Sequence, residues 1–364
     1  MAIKIEEHVS LAPLTTLNIG GQARYFIRAE TEDDIAEGVD FAMGRGLPLF
    51  ILGGGSNLLV ADDGFDGLVL RIDMRGVMGL PASVGVRSVQ ESRAALVTAG
   101  AGEDWDSFVE RCVKANFAGV ECLSGIPGLV GGVPVQNVGA YGQEVSETIN
   151  SVRCFDRETR VFMTLSNKDC GFSYRTSIFN SSHRDRYIVT SVTFTLVEGG
   201  NAKVVYPELK RAIESSIIAR AGDGSSAAHP YLSEVRDTVL SIRRAKSMVI
   251  DPHDPNSRSA GSFFKNPIVD RHTFGELKAI HPNIPSFIFG EQVKIPAAWL
   301  IDDAGFHKGF SLGRAGISTN HSLAIINRDG ASSGEIITLK DQIQAAVKKR
   351  FCLDLVTEPV FLGF

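Results

Sequence analysis

Glycine gathers in two places along this chain, and those places constrain the fold more than any other feature. Of 364 residues, 37 are glycine, about one in ten against a usual ~7%. The densest run, Gly53-Gly54-Gly55-Ser56-Asn57, directly follows the apolar segment PLFIL at 48–52. Such a run lets backbone N–H groups approach an anion closely, because no Cβ intervenes and positive φ costs little. Diphosphate is the natural guest, and a tight structural turn is the competing reading. The second region runs from Ser124 to Gly142 and carries Pro127 and Pro134, so it cannot be one long helix. Neither region is a GxGxxG fingerprint, and no Gly-Lys-Ser/Thr follows, which disfavours a nucleotide held in the Rossmann or P-loop manner. Two glycine loops in one domain can enclose a diphosphate and a flat ring beside it, with Gln136, Asn137 and Tyr141 offering polar edges and a stacking face. A crossover rigidified by the two prolines is the alternative.

Around these loops the chain reads as α/β. Residues 23–29 alternate like a strand. Thr31 caps an acidic first turn, Ile35, Val39, Ala42 and Met43 follow at helical spacing, and Gly46 stands where a helix-ending glycine belongs. PLFIL is then a short buried strand, and 68–72 and 95–100 read as further strands. Asp104 to Phe117 is an amphipathic helix closed by Gly119, with Trp105, Phe108, Val109, Cys112 and Val113 on one face. Strands follow near 151–156, 160–165 and 187–197, which closes a first domain near residue 198. After a linker-like Gly199-Gly200-Asn201, the second part holds helices near 207–220 and 231–246 and a strand at 259–269. A helix then opens at Pro296, and a late helix starts at the capping box Ser332-Ser333-Gly334-Glu335. That last helix turns Ile336, Leu339, Ile343, Val347 and Phe351 inward, and the chain closes on the strand-like LDLVTEPVFLGF.

Composition removes several function classes. Apolar residues make up 44% and charged residues 22%, which is ordinary globular usage rather than disorder. The net charge of −5 argues against broad nucleic-acid binding. No apolar run approaches the ~18 residues of a membrane span, and MAIKIEEHVSLAP lacks the apolar core of a secretory signal, so the expected location is cytoplasmic. The five cysteines, an odd number with no CxxC pair, argue against a disulfide framework or a zinc site. They read as small buried hydrophobes, and no metal is expected.

GGGSNLLV (53–60) together with LSGIPGLVGGVPVQNVGAYGQE (123–144) resembles the MurB family, the UDP-N-acetylenolpyruvoylglucosamine reductases. GFSYRTSIF (171–179), RSAGSFFKNP (258–267) and TEPVFLG (357–363) match in the same order, so the resemblance spans essentially the whole chain. It implies an α+β chain in two parts. Residues 1–198 would form an FAD-binding domain of the vanillyl-alcohol-oxidase (PCMH) type, itself in two subdomains. Residues 199–364 would form the substrate-binding domain, with the last strand returning to the active site. It further implies non-covalent FAD, NADPH as co-substrate, and reduction of UDP-N-acetylglucosamine enolpyruvate to UDP-N-acetylmuramate for peptidoglycan, by a monomer.

On the same resemblance, cofactor contacts fall to Gly53, Gly54, Gly55, Ser56, Asn57, Ser124, Gly125, Ile126, Pro127, Gly128, Gly131, Gln136, Asn137, Gly139, Ala140 and Tyr141. Reducing an enolpyruvyl C=C places charge on the adjacent carboxylate and requires a proton at C2. An arginine fork suits the first task and a positioned acid the second. The resemblance assigns these to Arg175 and Ser262, with Glu358 stabilising the intermediate. Taken alone, each has a blander role: a surface salt bridge, a turn hydroxyl, an edge-strand acid. Tyr174, Tyr206, Lys246, Asn266 and His321 are implied substrate contacts, His321 standing where some members carry glutamine. The stretch 221–234 matches no pattern. Two rivals keep a flavin: an alcohol or lactone oxidase of the same fold, and a regulator without turnover. Against the oxidase, no histidine lies between His8 and His183 to tether a flavin; against the regulator stands the joint presence of Arg175, Ser262 and Glu358.

Overall fold

A computed structural model of the protein describes residues 3–81, 92–221 and 230–364; residues 222–229 of the unmatched stretch lie outside them. The chain forms two compact units. The first comprises Met1–Glu7, Tyr25–Gly54 and Gly67–Arg244. It opens as the sequence predicts. Gln22–Ala29 is a strand that buries Phe26, Ile27 and Ala29. Thr31 caps helix α1 (Glu32–Gly44): its hydroxyl accepts the Asp34 N–H at 3.2 Å, and the Asp34 carboxylate accepts the Thr31 N–H at 2.8 Å. Ile35, Val39 and Ala42 turn inward, Met43 stays exposed, and Gly46 takes φ 61° just past the helix end. Leu49–Leu52 pairs in parallel with Phe65–Ile72. Only Leu52 of it is buried, so this strand is half covered where its apolar run predicts full burial.

An antiparallel sheet forms the other half of the unit, in the order Val161–Ser166, Ile149–Asp156, Tyr187–Glu198, Arg93–Gly100, Val77–Met78. Tyr187–Glu198 alternates, burying Val192, Phe194 and Leu196, and against Phe194 lie Trp105 and Phe108 of helix α2 (Trp105–Lys114), with ring centres 6.0 and 5.1 Å away. Burying an aromatic of this size contributes about 1.5–3 kcal/mol. The helix is shorter than its pattern predicts. Asn116 takes φ 61°, and Phe117–Ala118 leaves the helix to pair with Glu198 and Val197, so Gly119 is not its terminator. The apolar periodicity there served a strand. Helices α3 (Pro207–Ala221) and α4 (Leu232–Ala245) bring Leu209, Ile213, Val235 and Val239 onto Cys122. Cys112, Cys122, Cys154 and Cys170 are buried; burial pushes the Cys112 thiol up to about 12, which keeps it protonated and unreactive. Cys352 is exposed.

The second unit comprises His8–Arg24, Gly55–Asp66 and Ala245–Phe364. Its helices are α5 (Arg271–Ile280), α6 (Ala297–Asp303) and α7 (Ser333–Phe351). Pro296 is the N-cap of α6. The α7 capping box is closed as predicted, and Ile336, Leu339, Ile343, Val347 and Phe351 are all buried. Asp62 reinforces that start by accepting the Ser333 N–H at 2.9 Å. Two small antiparallel sheets complete the unit, one of Ile268–Asp270, Gln292–Lys294 and Phe287–Phe289, the other of Ser311–Leu312, Ala315–Ile317 and Ile325–Asn327. The expected continuous strand at 259–269 is broken. Gly261 turns at φ 73°, single bridges tie Ser259 to Ile326 and Phe264 to Thr357, and regular strand resumes only at Ile268. Of the closing segment only Val360–Leu362 is regular strand, parallel to Leu58–Val60. Among the described residues no helix is long and apolar enough to cross a membrane.

Candidate active site

In the first unit the two glycine regions meet backbone to backbone. A Cβ on Gly54 would stand 2.7 Å from the Gly128 Cα, closer than real Cβ atoms approach other atoms, so the contact requires glycine at position 54. The second region is held to the start of α2. Trp105 donates its backbone N–H to the Gly128 carbonyl at 3.0 Å and its indole N–H to the Leu123 carbonyl, also at 3.0 Å. Ser124 is buried with its hydroxyl donated to Glu121, and Gly131 donates to the Ala101 carbonyl at 2.9 Å. Gly125 donates its N–H to the Asp106 carboxylate at 2.6 Å. Ile126, Pro127 and Gly128 remain half open beyond it. Farther on, Gly139 and Ala140 pair with Glu144 and Gln143 in a hairpin whose tip, Tyr141 and Gly142, has φ 51° and 82°. The first loop is open beside Gly53, where a Cβ would meet nothing within 4 Å, and glycine backbone exposed in this way suits the diphosphate of a cofactor.

Asn137 connects this region to the Arg175 turn. It is buried at φ 45°, accepts the Ser146 N–H, and donates its amide to Glu144 at 2.8 Å and to the Ser173 carbonyl at 3.1 Å. Its side chain therefore braces the site from within the protein. Ser173 and Thr176 exchange backbone hydrogen bonds of 2.9 and 3.1 Å, and Arg175 sits between them at φ 54° with its carbonyl accepting from Asn180. A non-glycine residue in that region is held there by its surroundings. Tyr174 and Gln136 are half-buried. Tyr206 is 39% exposed and meets the Tyr141 ring edge-on at 5.6 Å.

Two arginines and an acid that sequence reasoning passed over complete this region. Arg236 and Arg243 lie on α4, both buried. Arg236 grips Asp106 with two hydrogen bonds of 2.6 and 2.9 Å. Burial opposes the charge on Asp106, but Arg236 and the Gly125 N–H outweigh it and hold the carboxyl below its usual range. Arg243 is pushed down by burial and partly restored by the Tyr141 hydroxyl it hydrogen-bonds and by Asp106; Arg175 is near enough to repel it. Guanidinium charges this close to one another form a field that suits an anionic group. The signal was present in the sequence: Arg236 and Arg243 stand seven apart among Val235, Val239 and Leu240, so they share an otherwise apolar face.

The second unit organises the other predicted residues around Ser262. Gly261 turns just before it, and buried Phe263 and Phe264 follow. The Phe263 N–H reaches the Leu323 carbonyl at 2.8 Å, and the Phe263 carbonyl accepts the Glu358 N–H at 3.0 Å. Ser262 is thereby fixed between the turn carrying His321 and the segment carrying Glu358. Its Oγ lies 3.4 Å from His321 Nε2. Asn57 supports the Glu358 side: its amide donates to the Glu358 carbonyl at 3.1 Å, and its own carbonyl accepts the Val360 N–H at 2.9 Å. Gly55, at φ 62°, packs against Leu14 and accepts the Thr16 N–H at 3.2 Å, with Ser56 between it and Asn57. Asn266 is turned to a structural task, its Oδ1 accepting the Ala297 N–H at the start of α6. Lys246 is half-buried just beyond α4.

Comparison with known proteins agrees along the whole chain. Residues 23–164 match the model of an FAD binding domain, and residues 252–362 that of the UDP-N-acetylenolpyruvoylglucosamine reductase C-terminal domain. The UDP-N-acetylenolpyruvoylglucosamine reductase of Thermobifida fusca is 42% identical over 371 residues, covering 100% of this chain and 99% of the relative. That of Ralstonia nicotianae is 37% identical over 359 residues, covering 98% and 99%. The crystal structure of the enzyme MurB from Thermus caldophilus superposes with a TM-score of 0.65 at 24% identity, covering 100% of both chains, and shares the fold. An FAD-binding cradle in one unit, a reductase-type C-terminal domain in the other, and full-length relatives at such identity lead to one conclusion: the chain belongs to the UDP-N-acetylenolpyruvoylglucosamine reductase family.

Proposed function

We propose that this protein reduces UDP-N-acetylglucosamine enolpyruvate to UDP-N-acetylmuramate with NADPH, a step of peptidoglycan precursor synthesis, as a cytoplasmic monomer. The observation that supports this best is the open space beside Gly53, where a Cβ would meet nothing within 4 Å, in a glycine loop whose next residue packs its backbone on Gly128. The residues that would hold FAD there are Gly53, Gly54, Gly55, Ser56 and Asn57 of the first loop and Ser124–Gly128, Gly131, Gln136, Asn137, Gly139, Ala140 and Tyr141 of the second. FAD supplies the hydride chemistry when bound.

The protein's own groups handle charge and protons. As C3 takes up hydride, negative charge gathers on the carboxylate side of the substrate, and Arg175 meets it with a planar, permanently charged fork. The left-handed turn fixes the backbone from which Arg175 reaches out, at φ 54°. Ser262 then gives its Oγ proton to C2. Glu358 stabilises the developing anion, either protonated or sharing a proton with a water. Lys246 and Tyr206 take the UDP diphosphate, and Tyr174 and Asn266 line the substrate.

The test is Ser262→Ala, with UDP-N-acetylmuramate formation followed by chromatography. Loss of the positioned acid lowers kcat by about 10²–10⁴, while substrate still binds. Turnover at the parental rate would reassign Ser262 to the turn it occupies.

A further inference from the structure

A serine hydroxyl is a weak acid. It serves as a donor only if another proton replaces the one it gives up. Directly beside Ser262 stands a side chain able to supply one, since His321 Nε2 lies 3.4 Å from Ser262 Oγ. The approach is built into the backbone. Phe263 donates to the Leu323 carbonyl at 2.8 Å, which sets Ser262 opposite the His321 turn. That turn closes on itself, Ala324 donating to the His321 carbonyl at 3.1 Å and Ser318 to the Ala324 carbonyl at 2.9 Å. Both neighbours of His321 are tied down: the Asn320 amide donates to Ser247 Oγ at 2.8 Å, and the Ser322 hydroxyl donates to Asp302 Oδ2 at 2.9 Å. An imidazole between two such anchors is aimed at Ser262 by the chain on either side.

We propose that His321 acts through Ser262 as the group that holds and restores its proton. The inference rests on the reading of Ser262 as donor to C2. In that step the Oγ–H bond breaks and a C2–H bond forms on the anionic substrate. The imidazolium Nε2–H then passes to Oγ, re-forming the hydroxyl and leaving neutral imidazole, which takes one proton from water. The pair of the broken Oγ–H bond stays on oxygen and that of the Nε2–H bond on nitrogen, the new C2–H bond takes its pair from the enolate-like substrate anion, and the net uptake is the single solvent proton that the reduction requires. His321 is thus a positioning and relay residue rather than one that touches the reacting carbon.

The experiment compares His321→Gln with the parent and with Ser262→Ala, each as the full chain loaded with FAD and assayed with NADPH and substrate. Glutamine preserves a hydrogen bond to Oγ but cannot relay a proton. The expected result is a kcat lower by about tenfold or more, a nearly unchanged KM, and a larger solvent deuterium isotope effect on kcat. A parental kcat overturns the proposal. So does a raised KM with the isotope effect unmoved, which would make His321 a substrate contact. A separate readout does not depend on turnover: in the holoenzyme, Ser262→Ala should shift the ring resonances of His321, and unmoved resonances also refute the relay. If Ser262→Ala turns over like the parent, the assignment of Ser262 itself fails. If Ser262→Ala is slow and His321→Gln is not, only the relay fails.

Discussion

Placing one methyl group at Gly54 or at Gly53 separates the two things a glycine loop can do. On Gly54 it would lie 2.7 Å from the Gly128 Cα, 3.0 Å from the Gly128 carbonyl carbon and 3.1 Å from the Leu129 nitrogen. Against an ordinary carbon–carbon separation of about 3.5 Å, the nearest contact is about 0.8 Å too close. All three atoms are backbone, so no side chain can swing aside. Gly128 is also restrained by the Trp105 N–H, and Leu129 by its bridge to Asp104. One loop must therefore move, and overpacking of this kind costs about 1–3 kcal/mol. A methyl on Gly53 meets nothing within 4 Å, and its cost should stay within about 0.5 kcal/mol. Urea denaturation of the two variants without added FAD measures this difference. Titration with FAD then measures the site: Gly54→Ala should weaken binding about tenfold for each ~1.4 kcal/mol of lost contact. A Gly53→Ala variant of parental stability but weakened FAD affinity would show the cofactor lying against that residue. If Gly54→Ala is as stable as the parent and binds FAD as well, the loops do not meet as described and the cradle is not there.

Asp106→Asn should destabilise the chain by about 1–3 kcal/mol at neutral pH, because Arg236 loses its charged partner. The folded carboxyl sits below its usual range, so its contribution is complete above the unfolded value near ~3.9 and fades as pH falls through the lower folded value; the gap between parent and variant urea midpoints should close in acid, and a gap independent of pH would refute the pairing. Arg175→Lys keeps a charge but loses the fork, and kcat/KM should fall about 10²-fold; parental kinetics would remove Arg175 from the carboxylate. Lys246→Ala should raise KM for the UDP substrate with kcat little changed, as loss of uniform binding does; a collapsed kcat at constant KM would place Lys246 in the chemistry.

What the sequence alone determined is whatever rests on residues near one another along the chain. The caps at Thr31 and at Ser332 with Glu335 were legible because an N-cap and its partner are three residues apart. The inward face of α7 was legible because helical spacing repeats every few residues. The glycine loops were legible because freedom from a Cβ is a property of single residues. Tertiary structure decided the rest. The periodicity of α2 ran on through Phe117, and only pairing with Glu198 shows that the helix stops earlier. The run at 259–269 looked like one strand, but its partners, Ile326 and Thr357, come from separate segments and meet it at single points. No local feature announces that Gly55–Asp66 joins Ala245–Phe364 in one unit while Gly53 and Gly54 belong to the other. The grip of Arg236 on Asp106 spans 130 residues, and the approach of His321 to Ser262 spans 59. Contacts at such separations arise only once the chain has closed its long loops, and the closing is driven by burial of the core, which is non-directional along the sequence. Residue type marked these side chains as able to carry charge or a proton; the fold alone decided which of them face each other.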